Sequence, residues 1–436
     1  MSDVIQQITS HLKITLNPMQ ESALKTIPAK DEIILLSPTG SGKTLAFLLP
    51  AVLAINPRIP KVQVLVVAPS RELAIQIEQV FKSMQTGFKV NSAYGGHSMK
   101  IEKQNLHEPP MVLIGTPGRI ADHIDRGTFD LSSLHTIILD EFDKSLEFGF
   151  SKEMGFILRK LTEVKKKILT SATRMEEIPT FTKIKSPVTL DFIQDAKPIA
   201  LSLKKIISPE RDKLKTLLDL LCFTGDESTL VFVNHREPTE RISEYLNENG
   251  IINDAFHGGM EQTDREKILA KFRNGSSKLL ITTDLASRGL DIPEIKYIIH
   301  YHLPSTEDAF THRNGRTARM NAKGTAFVIV SDGEELPPYF DLSTPVFGLG
   351  KNLEKPRVPE WETLYIGGGK KDKINKIDIV GFLSKQANLE KDDIGLIEVK
   401  DFFAYAAVKR KKMKSILQAI QGEKIKNKKV KFDVVR

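Results

Sequence analysis

Along the first three-quarters of the chain, short uninterrupted apolar runs alternate with longer stretches of helical period. The runs fall at 32–37, 62–69, 111–115, 136–140, 167–171 and 188–191. The pattern then restarts at 201–207, 229–233, 254–257, 279–283, 297–300 and 326–330. Near-continuous apolar runs are what strands buried on both faces look like, and their alternation with helices predicts βαβ units. The fold class expected is therefore α/β, with two stacked parallel-sheet domains joined by a short connector near 195–200. Residues 336–361 carry Pro337, Pro338, Pro345, Pro356 and Pro359 among few periodic positions, which predicts an irregular linker ending near Trp361. A compact β-α-β-β-α-β pattern follows, with strands at 363–367, 394–399, 402–408 and 430–435 and helices at 377–386 and 412–420. The expected division is 1–197, 198–335, a linker at 336–360 and a small α+β module at 361–436.

At 436 residues the chain is too long for one core. No apolar run approaches the length of a membrane span, and the first residues lack a signal-peptide pattern. The single cysteine, Cys222, excludes an internal disulfide and a cysteine-rich metal site. A cytoplasmic protein without membrane contact is expected. Net charge is +8, and its location says more than its size. The last 75 residues hold 18 Lys+Arg against 10 Asp+Glu, whereas the rest holds 45 of each. A basic module on a near-neutral body fits nucleic-acid binding.

The stretch Ser37-Pro38-Thr39-Gly40-Ser41-Gly42-Lys43-Thr44 lies between an apolar strand and an apolar helix start. That is the context of a P-loop, in which backbone N–H groups and a helix N-terminus cradle phosphates. Lys43 would reach the β- and γ-phosphates and the Thr44 hydroxyl would hold Mg²⁺. Ser37 stands where the strict pattern has Gly. Downstream, Asp140-Glu141-Phe142-Asp143 closes the run Ile137-Ile138-Leu139. A carboxylate at the end of a buried strand in a P-loop domain is suited to hold hydrated Mg²⁺, so Asp140 takes that role. Glu141 is placed to orient or deprotonate an attacking water.

Asp-Glu-Phe-Asp resembles the signature of the DEAD-box ATP-dependent RNA helicases, and further stretches similar to that family's motifs follow in order across about residues 14–335. The resemblance implies RecA-like domains, RNA-stimulated ATP hydrolysis and a set of site residues. Pro18-Met19-Gln20 resembles the end of the adenine-reading Q motif, which makes Gln20 the adenine contact. Ala68-Pro69-Ser70-Arg71-Glu72, Gly95-Gly96 and Thr116-Pro117-Gly118-Arg119 resemble RNA-contacting turns and imply Arg71, Gly96, Thr116, Gly118 and Arg119. Ser171-Ala172-Thr173 is similar to the motif that couples ATP state to closure, with Ser171, Thr173, Asp143 and His312 as coupling residues. In the second half, the resemblance implies RNA contacts at Asn234, Gly258, Arg265 and Thr283. Ser287-Arg288-Gly289-Leu290-Asp291 implies nucleotide contacts at Gly289 and Asp291. His312-Arg313-Asn314-Gly315-Arg316-Thr317-Ala318-Arg319 implies Arg316 and Arg319 as phosphate-binding arginines. The chain departs from the family at Phe142 (commonly Ala), Asn314 (Ile), Ala318 (Gly) and Gly259 (acidic), and no aromatic precedes Gln20.

The element order of the last module is that of an RNA-recognition motif. Leu364-Tyr365-Ile366 and Phe403-Ala404-Tyr405 would place Tyr365, Phe403 and Tyr405 on one sheet face, where bases could stack. The stretches 363–373, 393–395 and 422–428 are similar to the C-terminal domain of DbpA-type helicases. That resemblance implies tethering to a hairpin of large-subunit ribosomal RNA, with Lys370, Lys371 and Lys411 as further contacts. The expectation is an ATP- and Mg²⁺-dependent, monomeric RNA helicase that unwinds short duplexes locally during ribosome assembly. The competing expectations are a non-catalytic RNA clamp, a helicase without ribosomal specificity and a DNA translocase.

Overall fold

The computed structural model describes residues 3–38, 40–96, 99–175, 177–193, 201–284, 292, 295–317, 324–350 and 353–435. Two compact units meet in sequence near residue 200, and the connector expected at 195–200 lies outside the described residues.

The first unit is built on seven parallel strands: β1 Glu32–Leu36, β2 Val64–Val67, β3 Val90–Ala93, β4 Val112–Gly115, β5 Thr136–Leu139, β6 Lys166–Ser171 and β7 Val188–Asp191. Their order across the sheet is β3-β4-β2-β5-β6-β1-β7. The apolar runs serve two cores at once. Ile33 and Leu35 of β1 join one hydrophobic cluster while Ile34 and Leu36 join the other. Successive side chains of a strand point to opposite faces, so helices on both sides demand an apolar residue at every position. Strand β3 was not expected from the sequence. It lies at the sheet edge, and its central Asn91 and Ser92 are half-buried, so no apolar run marks it.

The second unit opens with six parallel strands: β8 Leu201–Ser208, β9 Thr229–Phe232, β10 Asp254–Phe256, β11 Leu279–Thr282, β12 Tyr297–His300 and β13 Gly324–Ser331. Their order is β10-β11-β9-β12-β13-β8. The C-terminal module adds β14 Trp361–Ile366, β15 Ile394–Val399, β16 Ala404–Lys409 and β19 Phe432–Val434, antiparallel in the order β15-β16-β14-β19. Helices Lys376–Gln386 and Met413–Ile420 cover one face through Ile379, Leu383, Ile416 and Ile420. A small hairpin, β17 Lys424–Ile425 with β18 Lys428–Lys429, was not expected; two residues per strand carry no readable period.

The linker is less irregular than its prolines imply. Lys205 N–H donates to Pro345 C=O (2.9 Å) and Phe347 N–H donates to Lys205 C=O (2.7 Å), so the linker pairs with the edge strand β8. The Phe347 ring lies 4.9 Å from Phe223 and 5.4 Å from Phe327. An exposed sheet edge is thereby covered.

Candidate nucleotide and RNA site

The expected phosphate loop runs from the end of β1 to helix Lys43–Ala54. Gly40 and Gly42 adopt φ of +82° and +89°, the left-handed region that favours glycine. A Cβ on Gly42 would sit 2.6 Å from Gln20 Nε2. Thr39 lies outside the described residues. Asn17 and Gln20 form a capping box on helix Pro18–Ala29, with Gln20 N–H on Asn17 Oδ1 (2.9 Å) and Asn17 N–H on Gln20 Oε1 (3.0 Å). The same two side chains hold the loop: Asn17 Nδ2 donates to Ser41 C=O (2.9 Å) and Gln20 Nε2 to Gly42 C=O (3.2 Å). Gln20 therefore supports the loop, and each end of its amide retains capacity for one more hydrogen bond.

Lys43 is buried, and its Nζ donates to Ser37 C=O and to Pro38 C=O (3.2 Å). Burial pulls its pKa down, opposed by the charges of Asp140, Glu141 and Asp143. Asp140 follows β5, is 2% exposed and accepts a hydrogen bond from Thr170 Oγ1. Burial raises its pKa, while Thr170 and Lys43 act the other way. Strand β6 lies between β5 and β1, which is how Thr170 reaches Asp140 while Ser37 N–H reaches Ser171 C=O (3.1 Å). Glu141 has φ +44° and ψ +53°, an unfavourable conformation for a side-chain-bearing residue. Its N–H is directed at Asp140 Oδ1 (3.1 Å) and Thr170 Oγ1 (3.2 Å). Thr173 Oγ1 donates to Asp143 Oδ2 (3.0 Å), and Ser171 Oγ bonds both the C=O (2.6 Å) and the N–H (3.1 Å) of Thr173. Asp143 Oδ1 is buried without a hydrogen-bond partner, so this acidic pocket has acceptor capacity to spare. Hard oxygen donors of this kind suit Mg²⁺.

The RNA-contact candidates of the first unit lie at the carboxyl ends of strands. Arg71 opens helix Arg71–Ser83, capped by Ser70, and its guanidinium lies against Gly95. Gly96 takes φ +96°. Thr116 precedes helix Pro117–Asp125, which carries Gly118 and Arg119. Arg119 Nε points to Tyr94 C=O (3.4 Å) and to Glu102 Oε2 (3.3 Å). Glu102 is buried; its Oε1 accepts from Tyr94 N–H (3.3 Å) and its Oε2 lies 2.8 Å from His123 Nε2. Nothing in the sequence pattern had singled out Glu102 or His123.

In the second unit a residue passed over by sequence reasoning organises the site. Arg313 is fully buried and forks onto Asp284 (2.6 and 2.8 Å). It also donates to Asn234 Oδ1 (2.9 Å) and His302 C=O (2.6 Å), and lies over the Phe232 ring. The ends of β9, β11 and β12 and the helix Glu307–Asn314 are thus tied together. Arg265 donates to Gly258 C=O (2.5 Å), and Thr283 follows β11, largely buried. Arg316 is buried just past the helix that bears His312. Asn314 faces His300, with Oδ1 2.9 Å from Nε2, so a polar pair fills the place of the commoner apolar residue. Gly289, Asp291 and Arg319 lie outside the described residues, as do the neighbouring Ser287, Arg288, Leu290 and Ala318.

In the C-terminal module Tyr365, Phe403 and Tyr405 share one sheet face, with ring centroids 5.2–6.1 Å apart. The expectation of an open stacking face is corrected at Tyr405. Tyr405 is 2% exposed and packs with Ala270 of helix Gln262–Arg273, and the other two rings are half-buried. Thr363 completes the contact through Asn274 (2.8 Å) and Ser276 (2.8 Å). Lys370, Lys371 and Lys411 sit in short 3₁₀ turns and are exposed.

Three family models match in order: DEAD/DEAH box helicase over residues 17–181, helicase conserved C-terminal domain over 212–321 and DbpA RNA binding domain over 363–434. The ATP-dependent RNA helicase DbpA of Escherichia coli is 31% identical, over 95% of this chain and 93% of that one. The chain belongs to the DEAD-box RNA helicases, in their DbpA-like branch. The DbpA of Bacillus subtilis is 29% identical to this helicase, over 95% of this chain and 94% of that one. Among solved structures, S. cerevisiae Dbp5 bound to RNA and ADP BeF3 matches with a TM-score of 0.68 at 27% identity, covering 76% of this chain and 88% of that one. The helicase uses ATP, and no described helix is long and apolar enough to cross a membrane.

Proposed function

We propose that this helicase locally unwinds short RNA duplexes in the cytoplasm, as a monomer, while its C-terminal module holds large-subunit ribosomal RNA during ribosome assembly. The observation that carries the reading is the pairing of an intact ATPase constellation with a basic module matching the DbpA RNA binding domain. The working division is 1–197 and 198–335 for the motor halves, 336–360 for the linker and 361–436 for the RNA module.

In the mechanism, the loop 37–44 binds the phosphates and Lys43 exchanges its carbonyl partners for phosphate oxygens. Gln20 reads the adenine edge, with Gly289 and Asp291 toward the ribose. Thr44 and Asp140 would hold a Mg²⁺ ion, which would supply charge neutralisation on the nucleotide's phosphates. Glu141 orients the attacking water and takes its proton. Arg316 and Arg319 neutralise charge on the transferred phosphoryl group. Ser171, Thr173, Asp143 and His312 couple that state to RNA held by Arg71, Gly96, Thr116, Gly118, Arg119, Asn234, Gly258, Arg265 and Thr283. These contacts address sugar and phosphate, so the core has little sequence preference.

The test is steady-state ATPase rate without nucleic acid and with poly-ribonucleotide, DNA and large-subunit ribosomal RNA. Selective stimulation by ribosomal RNA is expected. Equal stimulation by every RNA would discard the ribosomal target, and no stimulation would favour a passive RNA clamp.

A further inference from the structure

We infer that Glu102 is a positioning residue for RNA binding: it ties the turn bearing Gly95 and Gly96 to the helix bearing Gly118 and Arg119, so that the two segments keep one spacing. This rests on the RNA contacts proposed above for those segments. The two turns leave adjacent strands at the same level. Ala93 ends β3 and pairs with Gly115, which ends β4, and Thr116 N–H donates to Ala93 C=O (3.1 Å). A Cβ on Gly115 would lie 2.4 Å from that oxygen, so the backbones touch there. The ladder stops at this pair, and side chains must set the distance between the turns beyond it.

Glu102 does so from a third element, helix Met99–Leu106, and is only 6% exposed. Its Oε1 accepts from the N–H of Tyr94 (3.3 Å), the residue directly before Gly95. Its Oε2 lies 3.3 Å from Arg119 Nε and 2.8 Å from His123 Nε2. Arg119 Nε also points to Tyr94 C=O (3.4 Å), which closes a ring of three residues. His123 carries the tie to the far end of helix Pro117–Asp125, its Nδ1 lying 2.8 Å from Thr128 Oγ1 just past the last turn. The helix is thus gripped at two positions four residues apart, which share one face.

A buried carboxylate is unfavourable unless its oxygens are engaged, and an apolar side chain would fill the same volume at lower cost. What the acid adds is geometry. It fixes the plane of the Arg119 guanidinium through Nε, the donor nearest the main chain, whereas phosphate is gripped by the outer N–H groups of such a fork. Charge alone predicts the opposite sign. A carboxylate beside an RNA phosphate repels it, so its deletion would tighten binding. Positioning requires that deletion weaken binding.

The experiment measures binding of labelled oligo(U) to the full chain with a non-hydrolysable ATP analogue, over a salt series. Arg119→Ala is the reference, and should weaken binding about 10- to 150-fold with the salt slope lowered by about 0.7, one single-strand phosphate. Glu102→Ala should weaken binding several-fold and lower the slope in the same direction. Glu102→Gln, which keeps an acceptor for Tyr94, should recover part of both. Residues that act together do not lose independently, so the double variant Glu102→Ala with Arg119→Ala should bind at least about twofold better than the product of the two losses. Should Glu102→Ala not fold, Glu102→Gln carries the same comparison. Tighter binding by either Glu102 variant, or losses that simply multiply, would overturn the inference. A salt slope unchanged by Arg119→Ala would instead remove the RNA contact on which it rests.

Discussion

Arg273 Nε and Nη2 lie 2.5 and 2.8 Å from the two carboxylate oxygens of Glu398, a fork joining the last turn of helix Gln262–Arg273 to β15 of the C-terminal module. Burial alone would raise the Glu398 pKa, yet the Arg273 bonds and charge hold it below the usual range. Planar, bidentate pairing is the strong form of ion pair. The helix that docks the module also carries Arg265 at its other end, bonded to the Gly258 turn. The RNA module is thereby held against an element of the motor's own proposed RNA site.

Arg273→Ala should therefore loosen the module, at a cost of about 1–3 kcal/mol to docking. Dye-pair distances between the second motor domain and the module should broaden, while ATPase without RNA stays unchanged. The double exchange Arg273→Glu with Glu398→Arg should narrow them again. Because the Glu398 pKa is depressed on folding, its contribution is present above about pH 4.3 and lost as pH falls through the folded value. Docking should accordingly weaken in acid, an effect absent from the Arg273→Ala variant.

Phe142 immediately follows the strained Glu141 and is fully buried, with its ring 6.3 Å from Phe181. Phe142→Ala should cost about 3–5 kcal/mol in stability, and Phe142→Leu less. With the anchor gone, the turnover number should fall further than the apparent affinity for ATP. Glu141→Gln should abolish turnover while sparing ATP and RNA binding; unchanged turnover would sink the base assignment.

Glu102 is the buried carboxylate shared by Arg119, His123 and the Tyr94 N–H. Glu102→Ala should raise the RNA concentration for half-maximal ATPase several-fold with little change in the KM for ATP, since nothing near the phosphate loop is touched. Glu102→Gln retains an acceptor for Tyr94 and should fall between. An effect confined to ATP affinity would contradict the positioning role.

His300 is wholly buried, and burial together with the Arg313 charge pushes its pKa down to about 3. The unfolded chain binds a proton near pH 6.5 that the folded chain refuses, so acidification favours unfolding. At pH 5 this one group should cost about 2 kcal/mol. Thermal unfolding of His300→Leu combined with Asn314→Leu should show a flatter acid limb than the unaltered chain.

The sequence by itself determined the two parallel-sheet domains, because strands buried on both faces must be apolar at every position. It also determined the phosphate loop and the acidic strand end, because those chemistries need particular residues at adjacent positions. Tertiary structure alone decided which partners those residues have. Gln20 was legible as a nucleotide contact but not as the prop of Gly42, twenty-two positions away. Arg313 was one arginine of a motif until folding set it against Asp284 and Asn234. The aromatic face of the C-terminal module was visible as an alternation, which fixes the side a ring points to. Whether that side meets water or Ala270 depends on a domain contact, and local periodicity carries no record of it.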